Sequence, residues 1–257
     1  MPILHAIVLG IVQGITEFLP VSSSGHLILL PMLLGWPEQP LAFDTVVHLG
    51  TLAAVLVALR DDLPKLFADK GKLGWTIVAA SVPALGMGFL FKDQIETVLR
   101  SPLVVAASLV VWGILLWIAD RQMKKQAEGK IENVGYHRAM MIGLAQAIAL
   151  IPGTSRSGVT ITAGLFMGLS REAAARFSFL LGIPAISAAG ALGLFELATG
   201  EAQIELVPMI FGFLTSFACG FIAIRFLLKL LKSTSFVPFA IYRIALAGLV
   251  VWLAMGP

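Results

Sequence analysis

The chain has 257 residues, of which 58% are hydrophobic and 13% charged. A soluble domain of this length would carry about 64 charged side chains, roughly one residue in four, against 18 basic and 15 acidic ones here. A mean hydropathy of +0.92 leaves too little polar side chain to cover a water-facing surface, so the excess apolar surface faces lipid. The same arithmetic excludes disorder, a collagen-like repeat and a disulfide scaffold; the one cysteine, Cys219, lies in an apolar run and reads as packing.

In chain order, Pro2–Leu34 comes first. It is apolar but carries Gln13 and Glu17 and breaks at Pro20 and a serine run. With no Lys/Arg n-region it does not read as a cleaved signal peptide. Leu41–Leu59, Leu73–Phe91 and Leu103–Ala119 follow, each near the 20 apolar residues that a crossing needs. Ala139–Leu169 is again interrupted halfway, and Phe177–Phe195, Leu206–Ile224 and Phe236–Met255 complete six spans.

The linkers alternate in charge. Arg60–Lys72, Arg121–Arg138 and Arg225–Lys232 are basic; Lys92–Arg100 has two basic residues offset by Asp93 and Glu96, and Glu196–Glu205 has none. The positive-inside rule puts the first three linkers in the cytoplasm and the last two outside. That parity excludes only a single crossing for each interrupted stretch; the interruptions favour a re-entrant pair, a helix in and a short helix back, with a polar loop at membrane depth that protein or a water-filled cavity must surround.

The two interrupted stretches match at one offset of 133 residues: Gly10 and Gln13 with Gly143 and Gln146, and Ser22-Ser23-Ser24-Gly25 with Ser155-Arg156-Ser157-Gly158. The expectation is an all-α integral membrane protein forming a single membrane domain, residues 1–257. Six transmembrane helices and two re-entrant helix-loop-helix pairs make an inverted-topology internal repeat, residues 1–133 (pair 2–34) and 134–257 (pair 139–169). Three spans per half is an odd number, so the second half enters the membrane upside down. Inverted repeats with broken helices bind their ligand near the midplane.

Gln13 and Glu17 are four apart and share a helix face, with Gly10 and Gly14 on or near it, where another backbone can approach closely. A carboxylate in an apolar segment is costly unless paired. Ser22 or Ser23 would cap the returning helix, and the second loop repeats that arrangement with Arg156, four residues before Thr160. Two helix N-termini then converge with the hydroxyls of Ser22, Ser23, Ser24, Ser155, Ser157 and Thr160, the backbone at Gly153, Arg156 and His26. Free N–H groups, positive dipole ends and a guanidinium suit a phosphate-bearing ligand. The plainer reading of Arg156 is a structural ion pair with Glu17. Asp44 and His48 share a face from which either could support Glu17 or His26. The basic linkers lack aromatic interleaving and read as orientation signals rather than nucleic-acid patches.

At these residues the chain resembles the bacterial undecaprenyl-pyrophosphate phosphatases associated with bacitracin resistance. The resemblance runs along nearly the whole chain. It is most specific in Gln13-Gly14-Ile15-Thr16-Glu17-Phe18-Leu19-Pro20-Val21-Ser22-Ser23-Ser24-Gly25-His26 and in Pro152-Gly153-Thr154-Ser155-Arg156-Ser157-Gly158. It implies removal of the terminal phosphate from undecaprenyl pyrophosphate, the lipid carrier of cell-wall synthesis, in the bacterial plasma membrane. It implies that Glu17, His26 and Arg156 are essential, with Ser22, Ser23, Ser155 and Thr160 supporting them. It also implies a divalent cation, Mg²⁺ or Ca²⁺, and a site open to the periplasmic side. Gln13 stands where many members have a second Glu; Gln cannot act as a base, which leaves it positioning or an auxiliary metal contact beside Glu17. His26 or Ser23 would attack phosphorus, or His26 would activate water. The competing class is a transporter or flippase of a lipid-linked phosphate, which would share the same midplane anion site. Oligomeric state is not legible in the sequence.

Overall fold

The computed structural model describes residues 1–91, 101–123, 127–200 and 205–255. The expected outer linker at 92–100 lies outside them, as do Lys124, Lys125 and positions 201–204 of the other outer linker.

Ten α-helices and one 3-10 turn, Ile131–Asn133, make up the described chain, which contains no strand. In order the helices are α1 (Ile3–Phe18), α2 (Ser23–Leu34), α3 (Leu41–Ala58), α4 (Leu63–Leu90), α5 (Pro102–Gln122), α6 (Gly135–Ile148), α7 (Arg156–Phe166), α8 (Arg171–Ala198), α9 (Leu206–Leu230) and α10 (Val237–Met255). Six of them, α3, α4, α5, α8, α9 and α10, are long and apolar enough to cross a membrane. They are the six spans expected from the sequence, so the chain is a multi-pass membrane protein. The other four have 16, 12, 14 and 11 residues. At 1.5 Å per residue, none is long enough for a hydrocarbon core of about 30 Å.

Two spans begin earlier than hydropathy places them. In α4, Ala68 is extended and Asp69, Lys70 and Gly71 are left-handed, so a short polar turn precedes the apolar helix proper. α8 starts at Arg171 rather than Phe177, because Ser170 caps it by accepting from the Ala173 N–H and its first-turn charges are neutralised. Arg171 grips buried Asp120 at the end of α5 through two nitrogens. Arg176 pairs with Glu172 at 2.9 Å and with Asp62. Lys65 ties Asp62 to Glu132. Hydropathy discards charged residues; tertiary pairing lets them be helical.

Lipid tails offer no hydrophobic drive between helices, so close backbone approach carries the packing. α1 and α3 both press on α9. A methyl group on Gly10 would meet the Gly212 carbonyl at 2.6 Å, one on Gly14 the Ser216 carbonyl at 2.6 Å, and one on Gly50 the Phe213 carbonyl at 2.7 Å. Gly143 does the same for α6 on α4, 2.0 Å from the Ala80 carbonyl. The contacts pair α1 with α9 and α6 with α4, α3 with α9 and α8 with α4, α5 with α10, and α3 with α8. Exchanging the first five helices for the last five maps these pairs onto one another, whereas the packing of α7 on α5 and α8 is not matched to the same extent at α2.

Candidate active site

Both polar loops are built alike. Ser22 and Ser155 have φ of 76° and 71°, a region that non-glycine residues rarely enter. Each caps its helix, with the Ser22 hydroxyl accepting from the Gly25 N–H at 3.4 Å and the Ser155 hydroxyl from the Gly158 N–H at 3.1 Å. Each also lies 3.3 Å from the hydroxyl two residues on, Ser24 or Ser157. Backbone held in this region costs about 1–3 kcal/mol per residue and gathers at functional sites. Ser22, rather than Ser23, is the cap, which leaves Ser23 free for another task.

That task is Glu17. Buried in α1, the carboxylate receives Ser23 Oγ at 2.8 Å and Gln13 Nε2 at 3.1 Å on one oxygen, and Arg156 Nη2 at 2.9 Å on the other. Arg156 comes from α7, so this contact joins the two loops. Its second arm donates to the Ser178 carbonyl of α8 at 2.9 Å, and the guanidinium occupies the space a side chain at Gly182 would fill. Thr160 shares the Arg156 face, as expected, and lies 2.7 Å from the Ser178 hydroxyl. Ser157 crosses between the loops to the Leu19 carbonyl. Ser24 is exposed and Ser155 buried.

The ion pair foreseen as the plainer reading is therefore present. Inside apolar helices neither charge is tolerable alone, so each compensates the other. Arg156 Nε makes no hydrogen bond among the described residues.

His26 is placed differently from the expectation that it shares the cluster. Its Nδ1 is 2.7 Å from the Ser22 carbonyl, and its Nε2 is 2.7 Å from the Tyr242 hydroxyl of α10. A carbonyl only accepts, so Nδ1 carries the proton, and the neutral ring then accepts from Tyr242 at Nε2. The two rings stack with centroids 5.7 Å apart. The imidazole that faces Glu17 is His48, at 3.8 Å, held through Nδ1 by the Asp44 carbonyl.

Sequence reasoning missed three residues here. Arg243, fully buried in α10, donates to the carbonyls of Pro20 in the first loop, Gly153 and Thr154 in the second, and Ser108 and Leu109 of α5. It has no carboxylate partner among the described residues, and its role is to tie the two loops together. An ionisable residue inside an apolar span was the available signal. Tyr242 gave none, being ordinary near a membrane interface, and Gly182 is one small residue among many.

Among the described residues no group of three His, Cys, Asp or Glu side chains could hold a metal ion. Two oxygen donors sit on neighbouring side chains: the Glu17 carboxylate, which accepts from Gln13 Nε2, and Gln13 Oε1, which is buried and has no hydrogen-bond partner. Mg²⁺ is commonly held by one or two protein oxygens and completed by substrate phosphate and water, so this donor set fits a hard cation shared with a phosphate ligand. Thr154 Oγ1 and the Gln146 amide are likewise buried without partners, polar groups that cost about 1–3 kcal/mol each if nothing meets them.

Comparison with known proteins gives the chain a family. The family description matching residues 6–249 is that of the bacitracin resistance protein BacA. An undecaprenyl-diphosphatase of Teredinibacter turnerae is 46% identical, over 99% of this chain and 100% of its own length. Undecaprenyl-diphosphatase 2 of Stutzerimonas stutzeri is 45% identical over the full length of both. An undecaprenyl-diphosphatase of Moorella thermoacetica is 45% identical over 98% of this chain and 97% of its own. By the extent of these matches, the chain belongs to the bacitracin resistance protein BacA family.

Proposed function

We propose that this chain hydrolyses undecaprenyl pyrophosphate to undecaprenyl phosphate and inorganic phosphate, recycling the cell-wall lipid carrier in the bacterial plasma membrane. The observation that carries the reading is Glu17, held between the Ser23 hydroxyl and the Arg156 guanidinium where two helix N-termini meet. A flippase would need the anion site but has no use for a hydroxyl donating to a buried carboxylate. The relatives' names favour the hydrolase.

In the proposed mechanism the pyrophosphate displaces the Glu17 carboxylate from Arg156 and takes Nη2 together with the unbonded Nε, while Nη1 stays on the Ser178 carbonyl. Ser22, Ser24, Ser155, Ser157, Thr160 and the backbone at Gly153 line its approach. Glu17 accepts the Ser23 proton as Oγ attacks the terminal phosphorus. The Oγ–P bond forms, the anhydride P–O bond breaks, and undecaprenyl phosphate leaves. Water then takes the phosphoryl group from Ser23: its oxygen bonds phosphorus as the Oγ–P bond breaks, Glu17 returns its proton to Oγ, and the water proton leaves on inorganic phosphate. Undecaprenyl phosphate leaves as a weakly basic anion and needs no proton, while His26, bonded to the Ser22 carbonyl and to Tyr242, fixes the first loop. Mg²⁺ or Ca²⁺, held by Glu17 and Gln13 through oxygen, would supply charge neutralisation on the phosphates.

The inverted repeat belongs to the same reading. Its support is the pair of matched loops and the helix pairs that map onto one another. In this reading the site lies near the midplane and opens to the periplasmic side, the side that the positive-inside rule sets opposite the basic linkers.

Phosphate release from a long-chain prenyl pyrophosphate in detergent tests this reading, with and without Mg²⁺ or Ca²⁺, beside Glu17→Ala and Arg156→Ala. Metal-dependent release lost in both variants supports the enzyme and its site together. A folded chain that releases nothing refutes the hydrolase. Release that survives both substitutions refutes the site.

A further inference from the structure

A second basic feature lies away from this cluster, at the end of the bundle that carries Asp62, Asp120 and Glu172. There an open cleft of about 610 Å³ runs between α8 and α9, lined among others by Arg176, Ile222, Arg225, Phe226, Lys229 and Lys232. Its charges divide into two sets. Arg176 is spent, bonded to Glu172 through two nitrogens and to Asp62 through a third. It forms a fixed wall. Arg225, Lys229 and Lys232 are exposed and make no ion pair among the described residues. Their spacing of four and three places them on one face of α9 and its continuation.

The neighbouring acids are already occupied by Lys65 and Arg176. Three uncompensated cations therefore remain over the cleft. Below them, exposed Ile222 and Phe226 present apolar surface on the lipid side. A solvated basic face would not need that apolar floor, and a soluble anion would not use it.

We propose that this cleft binds an anionic phospholipid, its phosphodiester under Arg225, Lys229 and Lys232 and its first acyl segment along Ile222 and Phe226. Charge complementarity selects the headgroup, since basic pockets between helix ends take acidic lipids. The volume suits a headgroup with its glycerol. The inference is independent of the reaction proposed above, because no residue of the Glu17 cluster takes part.

Native mass spectrometry of the purified chain tests it, counting retained phosphatidylglycerol against phosphatidylcholine with the same acyl chains. Phosphatidylglycerol should be retained preferentially by the unaltered chain. The variant Arg225→Gln/Lys229→Gln/Lys232→Gln should bind it about a hundredfold more weakly, at roughly fivefold per cation, with phosphate release in detergent unchanged. Arg60→Gln/Lys70→Gln/Lys72→Gln removes equal charge elsewhere and should keep the preference. If the triple cleft variant does not accumulate, Lys229→Glu alone should still lower retention more than tenfold. Equal retention of both lipids, an equal loss in the control variant, or an unaffected cleft variant would overturn the proposal. So would displacement of the lipid by millimolar inorganic phosphate, which would mark a site for free anions.

Discussion

Gly182→Ala tests the site more sharply than removing any charged residue. A methyl carbon at position 182 would lie 2.3 Å from Arg156 Nη1, 2.7 Å from Cζ and 2.9 Å from Nη2. Non-bonded contact begins near 3.5 Å, so the guanidinium must retreat by about 1 Å. It can do so, because it is the end of a flexible side chain, but retreat lengthens the 2.9 Å bonds to Glu17 and the Ser178 carbonyl. A misplacement of about 1 Å in a positioning group costs about a hundredfold in rate, or about 2.7 kcal/mol in the barrier. Stability should move little, since alanine gains up to about 1 kcal/mol over glycine inside a helix and both partners of the ion pair remain. Phosphate release and thermal denaturation measured on one preparation should therefore separate: turnover down about a hundredfold, melting within a few degrees. Gly86→Ala and Gly248→Ala are the controls, because a methyl group there meets nothing within 4 Å. Turnover of Gly182→Ala within threefold of the unaltered chain, or equal impairment of the controls, would refute the reasoning.

Further substitutions probe the rest of the arrangement. Gly143→Ala drives a methyl into the Ala80 carbonyl at 2.0 Å; backbone cannot retreat as Arg156 can, so this variant should fail to accumulate folded, and normal yield would refute the close α4–α6 approach. Arg156→Lys keeps the charge but cannot reach Glu17 and the Ser178 carbonyl with two fixed arms, so kcat/KM should fall at least tenfold; near-normal turnover would count against a bidentate role. Arg243→Met leaves five carbonyls without their donor. At about 1–3 kcal/mol for each buried unpaired group, its melting temperature should drop by more than ten degrees, and an unchanged melt would show that the loops do not depend on it. Tyr242→Phe keeps the stacked ring and removes only the 2.7 Å bond to His26; turnover should fall several-fold with no change in melting, and unaltered turnover would take His26 out of the mechanism.

The membrane character, the six spans, the two interrupted stretches and the phosphate-suited residues follow from the sequence alone. Each of these rests on local information. Twenty apolar residues cannot be anything but a crossing in a chain this poor in charge, and the matched serine runs announce the two loops wherever they fold. Gln13 and Glu17 had to share a face because a helix places residues four apart together.

Partner choice was decided by the tertiary structure, because it depends on helices far apart in sequence. Glu17 finds Arg156 across 139 residues. His26 turns to Tyr242 across 216 residues rather than to the carboxylate nearby, because its Nδ1 is committed to the Ser22 carbonyl of its own loop. His48, a residue with two candidate partners in the sequence, is the one beside Glu17. Arg243 shows the limit most plainly: an arginine in an apolar span signals that something polar must meet it, but only the fold reveals that backbone carbonyls from both loops do.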